Sequence, residues 1–362
     1  MKTRTAFAVT WIGLFGCSGS SETPGVDARS TADRGADTAV PDTAVDASSA
    51  PDAALIQLPR DEAPHADPDE WWYYTGILDT GSGAPFGFEF VVFQRMVSGT
   101  PMYLGHFAIT DQNKGSFSFD GIMSATPQSK PATGFALKVD SWTMTGHAGH
   151  DELHASLPGY AIDLALDAQK PMALQYGDGV MSVGGEPFYY YSYTSMKVTG
   201  SLTVDGVKSS VTGSAWMDHQ WGELGTMGQD FEGWDWFSLR LDDDTEWMLY
   251  VVRHAGKPSV AGGTIIDKAG NPTPLGHGEF TAAATGSWTS PHTGAVYPQG
   301  WTIKVPKQDL EVKVTPVQAD QELHQGMSNH HKYWEGLCDV SGTRARKPIS
   351  GRAYVELTGY VP

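Results

Sequence analysis

From Trp71 onward the chain alternates apolar and polar side chains with a period of two, and this limits its possible folds more than any other feature. Ile162, Leu164 and Leu166 interleave with Asp163, Ala165 and Asp167; Trp301, Ile303 and Val305 with Thr302 and Lys304; Ala353, Val355 and Leu357 with Arg352, Tyr354 and Glu356. Successive side chains of a strand point to opposite faces, so each run has one buried face and one wetter face. No long segment repeats its apolar residues at helical spacing. Turn residues punctuate the runs: Asp205-Gly206 is placed for a type I′ hairpin, and Asp79 to Gly83, Ala269-Gly270 and Asn271-Pro272 mark further breaks. About nine strands fit between Glu70 and Trp216 and about eight between Trp236 and Tyr360, a spacing suited to up-and-down barrels or sandwiches.

A chain of 362 residues exceeds what one hydrophobic core usually serves. Strand counting and the loop-like Gly222 to Gly228 place a boundary near 220–230, giving expected domains at 59–225 and 226–362. Ahead of them, Met-Lys-Thr-Arg and the short apolar stretch Thr5 to Phe15 read as a signal peptide over residues 1–16. The sequence Leu14-Phe15-Gly16-Cys17-Ser18 resembles the site where bacteria cleave before a cysteine and acylate it, which makes Cys17 the expected lipid anchor. Residues 17–58 are Ala, Asp, Thr, Ser and Pro with few large apolar side chains, so they are expected to be a disordered tether. The expected location is the bacterial cell envelope, with membrane contact through that anchor only.

Cys338 is the other cysteine, so an intrachain disulfide is not expected, and Cys338 itself reads as a small core residue of a strand. A net charge of −18 argues against nucleic acid and against docking on anionic lipid. The tether holds seven acids against Arg29 and Arg34, and the remaining negative charge is spread over the folded part.

No Gly-x-Ser-x-Gly elbow, His-Glu-x-x-His zinc helix or Walker-type loop occurs, which weakens the hydrolase classes those motifs serve. His147, His150 and His154 cluster, but on a loop entering a strand His150 and His154 lie too far apart to share one ion. His330-His331 reads the same way, and no metal or cofactor is expected. Gly213 to Gly222 and Gly233 to Phe237 set Asp218, His219 and Asp235 among Trp216, Trp221, Trp234 and Trp236. Burial among aromatics raises a carboxyl pKa and suits it to proton donation; equally, the aromatics fill a barrel end and the acids cap turns or accept indole N–H bonds. Glu70 to Tyr74 and Pro187 to Ser192 are aromatic runs whose inward members, Trp72 and Tyr190 among them, would line an apolar ligand cavity.

At these residues the chain resembles the AttH/CrtC-type lipocalin-like family, which includes carotenoid 1,2-hydratase (hydroxyneurosporene synthase) and many proteins labelled predicted secreted hydrolases. The matching segments include Asp69 to Tyr73, Phe93-Gln94-Arg95, Gly105 to Asp111, Tyr189 to Ser192, Trp216 to Gly222 and Gly233 to Trp236. They continue through Tyr297 to Trp301, Tyr333 to Gly336 and Gly351 to Tyr360, so the resemblance spans residues 60 to 362.

The resemblance implies an all-β fold of two tandem lipocalin-like (calycin) β-barrels with a ligand site near their junction. Its hydratase members imply addition of water across an isolated C=C bond. In that chemistry Asp235 would be the acid, Trp221, Trp234 and Trp236 would face a carbocation, and His219 or Asp218 would orient the water or the acid. Many secreted relatives carry Arg-Glu where this chain has His219-Gln220, which brings it nearer the hydratase type. A tethered lipoprotein is an unexpected setting for a carotenoid, so the expected ligand is another long apolar molecule, a terpenoid, polyketide or lipid, bound by a monomer. Two functions compete: a hydro-lyase or isomerase, and a non-catalytic carrier. Asp235 separates them, since an acid catalyst needs it unpaired and facing the cavity, whereas a carrier leaves it salt-bridged or turn-capping.

Overall fold

The computed structural model describes residues 55–181, 187–223, 230–257, 259–324 and 332–362. The signal segment 1–16, Cys17, the tether up to residue 54, the domain boundary at 225/226 and His330-His331 lie outside the described residues. Strands carry the fold throughout. Among the described residues, helix is limited to short 3₁₀ turns at Arg60–Glu62, Gln175–Gly177 and Pro306–Gln308, and no helix is long and apolar enough to cross a membrane.

The first sheet is built from β1 (Asp69–Asp79), β2 (Phe86–Val97), β3 (Thr100–Asp111), β4 (Ser116–Ser124), β5 (Phe135–Val139), β6 (Trp142–His147), β7 (His150–Leu157), β8 (Tyr160–Ala168), β9 (Ala173–Leu174), β10 (Val180–Met181), β11 (Phe188–Val204) and β12 (Val207–Gly222). Its order is β4-β3-β2-β1-β12-β11-β8-β7-β6-β5, with β9 and β10 paired to β11, and every pairing is antiparallel. The sheet curls on itself, so that Trp142 of β6 meets Phe90 of β2 and Phe107 of β3, each with ring centroids 5.9 Å apart. Asp205 and Gly206 both take positive φ between β11 and β12, with Val204 opposite Val207, as a type I′ turn requires.

The second half holds β13 (Phe231–Leu241), β14 (Glu246–His254), β15 (Val260–Ile266), β16 (Pro272–Leu275), β17 (Thr281–Ala284), β18 (Ser287–Thr289), β19 (Val296–Pro298), β20 (Trp301–Val305), β21 (Leu310–Pro316), β22 (Glu322–Leu323), β23 (Tyr333–Arg344) and β24 (Lys347–Leu357), which form a second sheet except for β18 and β19, a separate two-stranded sheet. The main order is β16-β15-β14-β13-β24-β23-β21-β20-β17. It curls likewise, with Phe237 of β13 edge-on to Trp301 of β20 at 5.5 Å. Cys338 is a buried free thiol in this core.

Each curled sheet fills its own interior. Trp72, Tyr74, Phe88, Phe90 and Tyr191 are fully buried in the first, and Trp247, Trp301 and Trp334 in the second. Among the described residues, Trp72 and the other large inward aromatics pack as core, with rings of this size at adjacent positions filling space inside each sheet. A groove of about 400 Å³ lies at β5 to β8, lined by inward Phe135, Asp151 and Leu166 as well as outward Ala136, Glu152 and Asp167.

The two sheets meet back to back. The outer faces of β1, β2, β11 and β12 pack on the outer faces of β13, β14, β23 and β24, and Val91, Trp216, Trp236, Met248, Leu337 and Tyr354 share one buried cluster there. The approach is close at Gly87, where a Cβ would stand 2.4 Å from the Tyr354 hydroxyl and 3.2 Å from Leu337. A crevice of about 10 Å³, room for roughly one water, lies between the sheets beside Thr75, Trp216, Ser238 and Arg240.

Candidate functional site at the seam

Alternation along β12 separates Asp218 from His219. His219 pairs across to Trp72 and points into the first barrel, whereas Asp218 pairs to Tyr73 and points into the seam. On β13 the same rule puts Trp234 and Trp236 at the seam and Asp235, opposite Val251 and Leu357, inside the second barrel. The three acid and base candidates thus occupy three different compartments.

Asp235 is also paired. Arg253 Nε stands 3.2 Å from Asp235 Oδ1, the Tyr360 hydroxyl donates to the carboxylate at 2.9 Å, and the guanidinium stacks over the Tyr360 ring at 3.9 Å. Burial pushes the Asp235 pKa up, opposed by Arg253 and Tyr360. This geometry does not give Asp235 the free, cavity-facing position that an acid catalyst needs. Asp218 is buried and accepts hydrogen bonds from Ser192 Oγ, from the Trp216 indole at 2.6 Å and from the Tyr190 hydroxyl at 2.5 Å. Burial raises it to about 7 against the pull of those donors, which leave little of the carboxylate for a substrate. The Trp236 indole donates to the Tyr190 hydroxyl at 3.2 Å, so Tyr190 and Trp236 reinforce the seam. Trp221 and Trp72 lie inside the first barrel, with Trp72 stacked on His219 at 4.5 Å.

Sequence reasoning missed the seam's main acids, Glu89, Glu335 and Glu356. The Tyr73 hydroxyl donates to Glu335 Oε1 at 2.8 Å, the Tyr333 hydroxyl to Glu89 Oε1 at 2.9 Å, and the Trp234 indole to Glu356 Oε2 at 2.8 Å. His106 Nδ1 lies 2.9 Å from the Tyr333 hydroxyl, extending the chain to Glu89. Among the described residues, Glu89 Oε2 and Glu335 Oε2 are buried without a hydrogen-bond partner. Burial raises Glu335 well above the carboxylate range, with repulsion from Glu356 and Glu89 adding to it. Burial lifts Glu89 to about 8 and Glu356 to about 7. Three carboxyls that cannot ionise together in a dry seam keep protons near neutral pH. Trp71, Phe93 and Trp234 are half-buried and pack against the apolar side chains of the seam.

A signal for Glu89 does exist in Phe86-Gly87-Phe88-Glu89-Phe90-Val91-Val92-Phe93, where an acid interrupts a near-continuous apolar run. Such a run marks a strand buried on both faces. Glu335 and Glu356 sit inside motifs already noted for their resemblance, but nothing in their spacing shows that they converge.

His147 and His150 face each other across the β6–β7 pair, but His147, His150 and His154 do not share one ligand site. His147 lies 3.0 Å from Glu62, His150 2.7 Å from Asp167 and His154 2.5 Å from Asp163, so each engages a different acid. A second buried cluster, His65, Glu70 and His219, does hold metal-capable atoms together inside the first barrel. His65 lies in the segment just ahead of β1, where the sequence reading drew no chemistry.

Comparison with known proteins follows the same architecture. The structure is similar to an AttH protein from Nitrosomonas europaea, with 29% identity and a TM-score of 0.76 over 86% of this chain and 99% of that one. It is also similar in fold to kievitone hydratase from Nectria haematococca, with 20% identity and a TM-score of 0.72 over 85% of this chain and 94% of that one. No curated protein matches the sequence. The AttH-like family model matches residues 49–360, nearly the whole of the described structure, and the chain belongs to the AttH-like family.

Proposed function

We propose that this protein is an acid catalyst that hydrates or isomerises a C=C bond in a long apolar substrate, with the seam glutamates as its proton donors. The observation that carries this reading is the geometry of Glu335: fully buried, accepting from Tyr73 through one oxygen and without a hydrogen-bond partner among the described residues at the other, with burial raising its pKa. A neutral carboxylic acid with a free O–H beside aromatic faces is what protonation of an isolated alkene requires. Because Glu335 is fully buried in the closed seam, the proposed reaction includes opening of the seam at its half-buried aromatics Trp71, Phe93 and Trp234 to admit the substrate. In the proposed step the Glu335 O–H bond breaks as a C–H bond forms. The tertiary cation is shielded by Tyr73, Trp234 and Trp236, and water then bonds to it and returns a proton to the carboxylate. Loss of a neighbouring proton instead of water addition gives the isomer. The shared fold of kievitone hydratase supports a hydratase reading, and kievitone is the first compound to assay.

The test is incorporation of oxygen from ¹⁸O-labelled water. Glu335→Gln should lower turnover by about 10²–10⁴-fold, the usual contribution of a general acid, with ligand binding retained. Full turnover in that variant would remove the proposal.

A second reading, a carrier for an apolar ligand, is favoured by the pairing of Asp235 with Arg253. It predicts recovery of one unaltered compound from the native protein and no label incorporation by any variant. We also propose export to the cell envelope with Cys17 as the lipid anchor, supported by the apolar stretch and cysteine at residues 5–17. Cys17→Ser should abolish incorporation of labelled palmitate.

A further inference from the structure

The seam chemistry leaves one buried cluster without a role. Inside the first barrel, on the opposite face of β12 from Asp218, Glu70 Oε1 lies 2.7 Å from His65 Nδ1 and 2.8 Å from His219 Nε2. The ligand-capable atoms of all three residues fall within 4.8 Å of one another. Glu70 and His219 are fully buried, and the His65 side chain is 18% exposed, so the cluster is dry with one edge toward water.

We propose that His65, Glu70 and His219 bind one divalent transition-metal ion of the zinc class, a site independent of the seam reaction. Two imidazoles and a carboxylate are a ligand set zinc accepts, with a fourth position left for water or another donor. An ion about 2.0–2.1 Å from each donor atom in tetrahedral geometry spreads its ligand pairs to about 3.3 Å. The two separations from Glu70 Oε1 therefore need to open by about half an ångström, and the two imidazole nitrogens already lie within 4.8 Å of each other. The outer contacts orient the donors. Glu70 Oε2 is occupied by the His65 backbone N–H at 2.8 Å and the Gln94 amide at 3.1 Å, which aims Oε1 at the imidazoles. His219 Nδ1 is 3.1 Å from the Tyr191 hydroxyl, and His65 Nε2, without a hydrogen-bond partner among the described residues, is 3.6 Å from Asp61 Oδ1. The rings are held by stacking, His65 on Trp221 at 4.1 Å and His219 on Trp72 at 4.5 Å.

The test uses the untagged full chain, stripped with chelator and titrated with Co²⁺. The expected result is one Co²⁺ per chain, with visible absorption of a nitrogen- and oxygen-ligated ion that Zn²⁺ displaces. His65→Gln, at the solvent edge of the cluster, should lose this binding while keeping the wild-type circular dichroism spectrum. Tyr191→Phe should weaken binding roughly 10–100-fold, as loss of an outer-shell partner does. His150→Gln, on the outer face of β7, should leave it unchanged. Absence of stoichiometric Co²⁺, or binding that survives His65→Gln in a folded chain, overturns the proposal and leaves the three residues as a hydrogen-bonded group only.

Discussion

Replacing Glu89 with Gln should change how the stability of this protein depends on pH, by an amount that follows from the seam. Glu89 is fully buried and lifted from an ordinary 4.5 to about 8, mainly because burial disfavours its charged form. A raised acid pKa means that between those values the folded chain holds a proton the unfolded chain has released. Stability is therefore highest below the unfolded pKa and is lost as pH rises through the folded one. One pKa unit is worth about 1.4 kcal/mol, so Glu89 alone costs the folded state about 5 kcal/mol on going from about pH 4 to pH 9. Gln keeps the acceptor for the Tyr333 hydroxyl and cannot ionise, but puts an unpartnered N–H₂ where Oε2 stood, at a cost of about 1–3 kcal/mol at every pH. The two stability curves should cross: wild type is the more stable at low pH, and Glu89→Gln by about 3 kcal/mol at about pH 9. Urea unfolding followed by tryptophan fluorescence at three pH values reads this directly through the midpoints, provided the slopes agree. Parallel curves for the two proteins would refute the claim that Glu89 is protonated in the folded seam.

Other substitutions separate the compartments. Asp235→Asn should keep turnover in the labelled-water assay and lower stability by about 1.5–3 kcal/mol through its weakened contacts with Arg253 and Tyr360; lost turnover at unchanged stability would restore Asp235 as the acid. Tyr333→Phe removes the link between His106 and Glu89 and should cost about 1–3 kcal/mol in urea unfolding, whereas a neutral result would mean that Glu89 finds another donor. Gly87→Ala drives a methyl group toward the Tyr354 hydroxyl and should destabilise by about 1–3 kcal/mol; unchanged stability would show that the sheets approach less closely there.

Much of the fold could be read from the alternation of side chains. β7 and β8 alternate between buried and exposed at successive positions, and Asp205-Gly206 makes the tight turn its residues favour. Parity, however, says only that neighbours face opposite ways. It does not say which way is in, and so Asp218, His219 and Asp235 read as one constellation although the pleat sends them into three compartments. The acids of the seam were hidden for a related reason. On strands buried on both faces, Glu89 and Glu335 carry no wet-face signature, and their convergence depends on β2 and β23, which lie far apart in sequence and in different sheets. His65 was missed because the segment ahead of β1 has no periodicity, and its meeting with His219 follows from the pairing of β1 with β12, the first and last strands of that sheet.

Back-to-back packing has an evolutionary consequence. The side chains that hold each barrel together point inward, and those that meet at the seam point outward, so the two sets alternate along the same strands without touching. Substituting Glu335, Trp234 or Phe93 need not disturb either core, and a change in Trp72 or Trp334 need not alter the chemistry. Stability and specificity can drift on separate positions of one sequence, which allows a single scaffold to acquire new substrates while its barrels stay the same.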